Sequence, residues 1–158
     1  MTVFALVACE EGAPFGGQTF RSQYAVARNA LEAGDYDKAG RSYQHLMEKA
    51  GPLEPRLRLE YAHALLRQGD FAGAAAQSGA LVAGQKGAAR AAALAVKATA
   101  EHELALQALA GGDKAGARRL LDSADKGMAE VLKTHPEMDP LGGLAARRAS
   151  IKVRKKAL

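Results

Sequence analysis

Four histidines and one cysteine are the residues best suited to catalysis or metal binding, and their spacing supports neither. His45, His63, His102 and His135 lie in four different segments. Residues 101–103 read Glu-His-Glu, which lacks the His-Glu-x-x-His spacing that places two imidazoles one helical turn apart. No serine nucleophile elbow or phosphate-binding glycine loop occurs in the sequence. We therefore predict a non-enzyme with no catalytic residues, metal, cofactor or small-molecule substrate; the enzymatic alternative is a site assembled from distant segments.

Cys9 follows an apolar run and precedes two glutamates in the opening stretch MTVFALVACEEG. A single cysteine excludes an internal disulfide and a multi-cysteine metal site. The stretch Leu-Val-Ala-Cys at 6–9 resembles the bacterial lipoprotein box. That resemblance implies that Cys9 is lipidated, that residues 1–8 are a residual signal-peptide segment, and that Glu10 directs the protein to the outer membrane.

Residues 9–19 contain three glycines and one proline and are expected to form a flexible linker after the lipidated cysteine. Residues 1–8 contain no Lys or Arg, although a signal peptide needs a basic start. This departure leaves two interpretations of Met1. Either the natural reading frame starts upstream, or the segment is the apolar end of a cytosolic protein.

The composition predicts one helical domain. The chain has 158 residues, of which 48% are hydrophobic and only 5% aromatic. Alanine is abundant, which favours closely packed helices because it has the highest helix propensity. Residues 147–158 contain six Lys or Arg and no acid, whereas the rest contains 16 cations and 17 acids. The net charge of +5 therefore belongs to the C-terminal end, and we expect no nucleic-acid partner.

Three similar turns divide the chain, at residues 32–43, 67–78 and 110–121. In each, a glycine (Gly34, Gly69 or Gly112) is followed directly by an aspartate. Glycine suits the left-handed conformation that ends a helix, and the aspartate can cap the next helix. Apolar residues recur at helical spacing before and after each turn, and the helix after the third turn is expected to end near 134–140. The repeated unit is thus a helix, a tight turn and a second helix.

The unit resembles the tetratricopeptide repeat (TPR), in which small and aromatic residues occupy set positions around the turn glycine. The first unit supplies Ala27, Gly34, Tyr36, Ala39 and Tyr43; the second supplies Ala62, Gly69, Phe71 and Ala74; the third supplies Ala105, Gly112 and Ala117. The third unit is degenerate, and the family's tryptophan is absent. The resemblance implies an all-α, TPR-like helical-hairpin solenoid of about three repeats over residues 20–140. An unrelated helical bundle is the alternative.

The resemblance also implies a concave groove, lined by the first helix of each unit, that binds a peptide or a partner helix. Mapping the family's groove positions onto this chain selects Arg21, Tyr24, Arg28, Arg56, Leu59, His63, Arg67, His102 and Leu106. Four arginines in this set would suit an acidic or carboxylate-bearing partner, because a guanidinium group binds a carboxylate with two hydrogen bonds. The alternative is that these residues only form solvated helix faces.

Residues 141–158 are expected to form a basic C-terminal capping helix. Leu144, Ile151 and Leu158 recur at intervals of seven, which gives a narrow apolar stripe that could cover the last repeat. The same composition would also suit a helix that lies on a membrane surface or binds an acidic partner.

Together these features predict a non-catalytic protein-protein interaction scaffold, lipid-anchored through Cys9 at the periplasmic face of the bacterial outer membrane. It resembles the small TPR lipoproteins that assist assembly of Tad-type or type IV pili and secretins, or other outer-membrane complexes. The alternative function is a cytoplasmic TPR adaptor.

Overall fold

The computed structural model describes residues 17–158, in which 86% of the residues are helical and no strand occurs. The predicted all-α class is confirmed. The α-helices are α1 (Gly17–Glu32), α2 (Tyr36–Met47), α3 (Glu54–Gln68), α4 (Phe71–Gly84), α5 (Gly87–Ala110), α6 (Lys114–Thr134) and α7 (Gly143–Lys156). Short 3-10 helices, Gly51–Leu53 and Pro136–Met138, precede α3 and follow α6. None of the helices in residues 17–158 is both long and apolar enough to cross a lipid bilayer.

The three predicted turns have the same backbone geometry. Gly34, Gly69 and Gly112 have φ angles of 81°, 89° and 82°, as expected for a left-handed residue that ends a helix. The amide of the following aspartate donates to a carbonyl five residues earlier, at N···O distances of 2.9, 3.0 and 2.9 Å. This pair of features is the Schellman motif, and it satisfies carbonyl groups that the helix end would otherwise leave unpaired.

The aspartate of each turn then caps the next helix. Side chains of Asp35, Asp70 and Asp113 accept hydrogen bonds from the amides three residues further on, at 3.2, 2.8 and 2.8 Å. In the second and third turns that amide belongs to a glycine, and a side chain there would collide with the capping carboxylate. The aspartate of each turn therefore completes one helix through its amide and starts the next through its side chain, which fixes a short antiparallel connection.

Each helix packs mainly against its neighbours in the chain, from α1 with α2 through α6 with α7. Contacts also join α3 with α5 and α5 with α7, while side chains of α1 reach α3. The first helices of the three pairs therefore lie side by side and form a shared surface.

Small residues allow the helices to approach closely. Alanine supplies more than half of the buried hydrophobic positions in the described part of the chain. Where α5 crosses α6, a Cβ atom added at Gly127 would lie 3.0 Å from Ala98 Cβ and 3.2 Å from Leu94 Cδ1. The larger apolar side chains at this contact, Leu121 and Met128, are completely buried. The helices therefore pack closely, so few aromatic side chains are needed to fill the space between them.

The final helix packs against α6 and α5, as a cap would. Ile151 is completely buried, Leu144 is 9% exposed, and Leu158 packs against the same cluster. Asp139 accepts hydrogen bonds from the amides of Leu144 and Ala145, at 2.9 and 3.0 Å. These backbone donors lower the pKa of Asp139, so its carboxylate holds the first turn of α7 at neutral pH.

The N-terminal boundary differs from the expected one. Helix α1 begins at Gly17, so it includes the last three residues of the segment 9–19 that was expected to be a linker. Phe20 packs against the cluster that α1 forms with α2, and this contact favours a helical first turn despite the glycine. Cys9 and the expected signal segment 1–8 lie outside the described residues.

The turn geometry predicts the effect of adding a side chain at Gly69. No atom lies within 4 Å of a Cβ placed there, so Gly69→Ala introduces backbone strain without a steric clash. We expect a loss of about 1–2 kcal/mol in the free energy of unfolding, because an L-residue is disfavoured at positive φ. Urea unfolding followed by circular dichroism measures this loss.

The matched control is Gly84→Ala at the end of α4, where an added Cβ also meets no atom but the backbone is helical. This variant should be unchanged or more stable by up to about 1 kcal/mol. Equal destabilisation by both substitutions would contradict the assigned turn.

Candidate functional site: the surface shared by the first helices

One face of α3 carries a row of polar side chains. Arg56, Glu60, His63 and Arg67 follow each other at intervals of four, three and four residues, so they share one side of the helix. This side faces α1, from which Tyr24 and Arg28 reach the same carboxylate. The structure thus brings together five of the predicted groove residues: Tyr24, Arg28, Arg56, His63 and Arg67.

Glu60 is the centre of this row, and sequence analysis did not select it. Its Oε1 accepts a hydrogen bond from the Tyr24 hydroxyl at 2.7 Å, and its Oε2 accepts one from the Tyr43 hydroxyl at 2.8 Å. The guanidinium groups of Arg28 and Arg56 lie 3.6 and 3.5 Å from the same oxygens. One carboxylate with a side chain only 13% exposed therefore connects α1, α2 and α3.

Both tyrosines are held in their neutral form. Burial raises the pKa of Tyr43 far above its usual value, and the hydrogen bond to Glu60 adds to the effect. Burial and Glu60 also raise the pKa of Tyr24, while Arg56 partly opposes them. The Arg56 guanidinium lies 5.9 Å from the centre of the Tyr24 ring, within range of a cation–π contact. Since a phenol hydroxyl donates only while protonated, these two donors are available to Glu60 at physiological pH.

The network changes the expected role of the four arginines. Arg28 already pairs with Glu32 at 3.0 Å and with Glu60, and Arg56 pairs with Glu60. Arg21 and Arg67 are exposed and form no ion pair with a described residue. Arg67 is therefore the arginine of this face that is best placed to bind a carboxylate from outside.

Two adjoining recesses lie along this face and share His63; together we call them the groove. The polar recess, of about 230 Å³, is lined by residues of α1 and α3: Arg28, Leu31, Glu32, Glu60, His63 and Arg67. The apolar recess, of about 350 Å³, lies between α3, α5 and α7 and is lined by His63, Leu66, Ala92, Ala95, Val96, Thr99, Met138 and Leu144. The polar and apolar halves of the groove thus meet at the side chain of His63.

His63 is an exposed residue, but it lines both recesses, where neighbouring groups partly desolvate its ring. This desolvation lowers the pKa of His63, and the charge of Arg67 lowers it further, although Glu60 partly opposes both. The imidazole is therefore neutral at pH 7. In that form it offers one donor and one acceptor to a bound molecule.

The other predicted groove residues lie elsewhere or are only half-exposed. Leu59 lines a separate recess with Pro52, Pro55, Leu81 and Gln85. His102 is only 6% exposed, with its Nδ1 3.3 Å from Glu103, which also pairs with Arg147 of α7. His102 is therefore not an open groove position. Leu106 is half-buried on α5.

Sequence analysis also missed Met138 and Leu144, which close the apolar recess. Both come from the segment after α6, and their position depends on how α7 folds back. Glu60 could have been found, since it lies on the same helical face as Arg56, His63 and Arg67. The Tyr43–Glu60 contact could not, because it depends on the packing of α2 against α3.

Within residues 17–158, no three His, Asp or Glu side chains gather as a metal site. Comparison of the chain with known protein families, curated proteins and solved structures finds no match.

The Glu60 network predicts an asymmetric response to substitution. Glu60→Ala leaves the buried Tyr43 hydroxyl without its acceptor, and we expect a loss of roughly 1–3 kcal/mol in the free energy of unfolding. Adding Tyr43→Phe to this variant should recover part of the loss, since no completely buried hydroxyl is then left without its acceptor, while the half-buried Tyr24 hydroxyl can bond to water. Chemical unfolding of the single and double variants measures the coupling.

The matched control is Glu32→Ala, because Glu32 also pairs with Arg28 but its side chain is 63% exposed. It should change stability by less than about 0.5 kcal/mol, as exposed ion pairs contribute little. Equal losses in the two glutamate variants, with no coupling to Tyr43, would contradict the central role of Glu60.

Proposed function

We propose that this protein is a non-catalytic scaffold of the TPR type that binds a segment of a partner protein in its groove. The observation that carries the proposal is the groove itself, where a polar recess containing Arg67 adjoins an apolar recess through His63. Preformed concave surfaces with few polar groups are the usual form of a binding site.

The assignment to the TPR type is supported by the three helix pairs. Their turns share one geometry, and the first helices of the pairs lie side by side. Ala27, Ala39 and Tyr43 of the first unit are completely buried, as are Ala62 and Ala74 of the second. In the third unit α5 and α6 have 24 and 21 residues, longer than the earlier helices, in keeping with its degenerate sequence.

The chemistry of the groove suggests the chemistry of the bound segment. Leu66, Ala95 and Met138 would contact apolar side chains, while Arg67 would bind an acidic group one or two helical turns away. An amphipathic helix with apolar residues and a nearby Asp or Glu combines these properties. Glu60 repels a carboxylate placed deeper in the polar recess, which favours contact at Arg67.

The proposed location depends on Cys9. If Cys9 is lipidated, the scaffold is attached to the periplasmic face of the bacterial outer membrane, where it would assist assembly of a pilus, a secretin or another outer-membrane complex. If residues 1–8 are instead the start of a cytoplasmic protein, the same groove serves a TPR adaptor. The binding mode is common to both, so the groove and the location are tested separately.

The groove is tested with a photo-crosslinking amino acid placed at Ala95, inside the apolar recess, in the native bacterium. We expect discrete adducts with a partner protein that mass spectrometry identifies. Adding Arg67→Glu should weaken the adduct by roughly tenfold, because the substitution replaces an attraction to the partner's acid by a repulsion.

The control position is Ala76, which is exposed on α4 outside the groove. A crosslinker there should give none of the same adducts. Adducts that form equally at Ala76, or that ignore the charge at position 67, would contradict binding in the groove.

Lipidation is tested by feeding a labelled fatty acid to a lipoprotein-competent bacterium that expresses the natural reading frame, including codons upstream of Met1. Label should enter the wild type and be lost in Cys9→Ser, together with membrane fractionation. The expected effect is large, since each buried methylene contributes about 0.8 kcal/mol to membrane binding. A wild-type protein that stays unlabelled in the cytoplasm would support the adaptor.

A further inference from the structure

The outer side of α7 carries a second apolar stripe, opposite the one that packs on α6. Ala145, Ala149 and Val153 of α7 follow each other at intervals of four residues and are exposed, and Leu141, in the turn before the helix, is exposed as well. Leu141 is 96% exposed and Val153 is 70% exposed, the two highest values among the exposed large hydrophobic residues of the described chain. A capping helix does not require an apolar outer side, so the cap does not explain this stripe.

Cations border the stripe on both sides. Successive residues of an α-helix are rotated by about 100°, which places Lys152 and Lys156 on one flank of Val153 and Arg154 on the other. All three are exposed, and they form no ion pair with a described residue. The remaining cations of α7 point inward: Arg147 pairs with Glu103, Arg148 with Asp125 and Lys155 with Asp122.

The neighbouring surface of α6 adds to this charge. On this surface Asp122 pairs with Lys155 of α7. The pKa of Asp122 is lowered by the hydrogen bond from Lys155 and by the charges of Lys126 and Arg118. Asp125 and Glu130 are engaged by Arg148 and Arg90. Residues 114–158 contain 11 cations and five acids, and the three acids of α6 are all paired. We call the outer side of α7, where Ala145, Ala149 and Val153 are bordered by Lys152, Arg154 and Lys156, the basic face.

We propose that the basic face docks on the surface of an anionic lipid bilayer, with α7 parallel to the membrane plane. Val153 and Leu141 would enter the headgroup region, while Lys152, Arg154 and Lys156 would contact lipid phosphates. A helix with an apolar stripe bordered by Lys and Arg matches both the apolar interior and the negative surface of such a membrane.

Two features favour a membrane over a nucleic acid. Residues 114–158 contain no Phe, Tyr or Trp, so the basic face lacks the rings on which bases stack. Its centre is apolar rather than polar, whereas a phosphate backbone is contacted mainly by charged and polar groups. Long lysine side chains can also reach the lipid phosphates while their methylene groups cover the apolar stripe.

This inference does not depend on the proposed function of the groove or on Cys9. The groove lies between α1, α3, α5 and the inner side of α7, where Leu144 lines it, while the basic face is the opposite, outer side of α7. Docking through α7 would orient the groove relative to the membrane in a lipidated protein, and would provide membrane attachment in an unlipidated one.

The test uses the full chain with Cys9→Ser, so that no acyl chain contributes. The protein contains no tryptophan, and Val153→Trp therefore introduces a single fluorescent reporter. With vesicles in which one lipid in three is phosphatidylglycerol, we expect a blue shift in emission that decreases as salt is added. Pure phosphatidylcholine vesicles should give no shift. Val26→Trp on α1, at a position 47% exposed, is the matched control and should stay unshifted.

Vesicle flotation of charge variants gives the second measurement. The triple variant Lys152→Gln, Arg154→Gln, Lys156→Gln should lose binding roughly tenfold or more, because each cation near an anionic surface contributes to binding. The control removes three exposed cations of the α2 region, Lys38→Gln, Arg41→Gln, Lys49→Gln, for the same change in net charge. It should bind like the parent. Residues 1–8 are present in all variants, so any binding through them is the same in each.

Three results would overturn the proposal. Equal losses in the two triple variants would show that only net charge matters, and equal blue shifts in the Val26→Trp and Val153→Trp variants would place the contact elsewhere. Binding to duplex DNA or polyglutamate without binding to anionic vesicles would assign the basic face to an acidic polymer. Melting curves of each variant confirm that the changes reflect binding and not unfolding.

Discussion

The turn in which a left-handed glycine is followed by a capping aspartate is the constraint on which the rest of the structure depends. It ends one helix and begins the next within three residues, so the two helices must run antiparallel and in contact. Because the same geometry recurs at Gly34, Gly69 and Gly112, each helix pair starts from the same local arrangement. The pairs then pack with α1, α3 and α5 side by side, and the groove forms where these helices share one side and α7 folds back beside them.

Small side chains are the second constraint, and they determine how close the helices lie. A core made largely of alanine buries little apolar area per residue, so it stabilises the fold only where backbones approach closely. Gly127 against Ala98 shows such an approach, and Gly40 against the Tyr61 ring is another, where an added Cβ would lie 3.4 Å from a ring carbon. Leu121, Met128 and Ile151 then fill the space that remains near α7. The aromatic side chains concentrate at the other end, around α1, α2 and α3.

Local sequence signals were sufficient for the helices and turns. Glycine, aspartate and the prolines after Thr134 act within a few residues of themselves, and the end of α6 at Thr134 agrees with the expected one. The candidate site was harder to predict from the sequence, because it depends on contacts between distant segments. The resemblance to TPR groove positions selected Arg28, Arg56 and Arg67, but it could not show that Glu60 pairs with two of them. It also could not show that Arg147 of α7 pairs with Glu103, since this contact depends on how residues 135–143 turn the chain back.

The sequence before residue 147 is nearly neutral, yet the charge on the surface is unevenly distributed. The positions of the acidic residues explain this difference. Glu60 joins three helices, Glu101 accepts hydrogen bonds from Lys97 and Ser123, and Asp122 and Asp125 hold α7 on α6. Each of these carboxylates makes a contact between two helices, through an ion pair or, at Glu101, through the hydrogen bond from Ser123, and such a contact fixes the register of the two helices more than it adds to stability. A core of alanines specifies register weakly, because one small side chain packs much like another, so these pairs supply the specificity that the core lacks. The acids are thereby drawn inward while many cations stay outside. Arg67 at the groove and Lys152, Arg154 and Lys156 on α7 are among the exposed cations that have no acidic partner in the described chain, and they are available to bind other molecules.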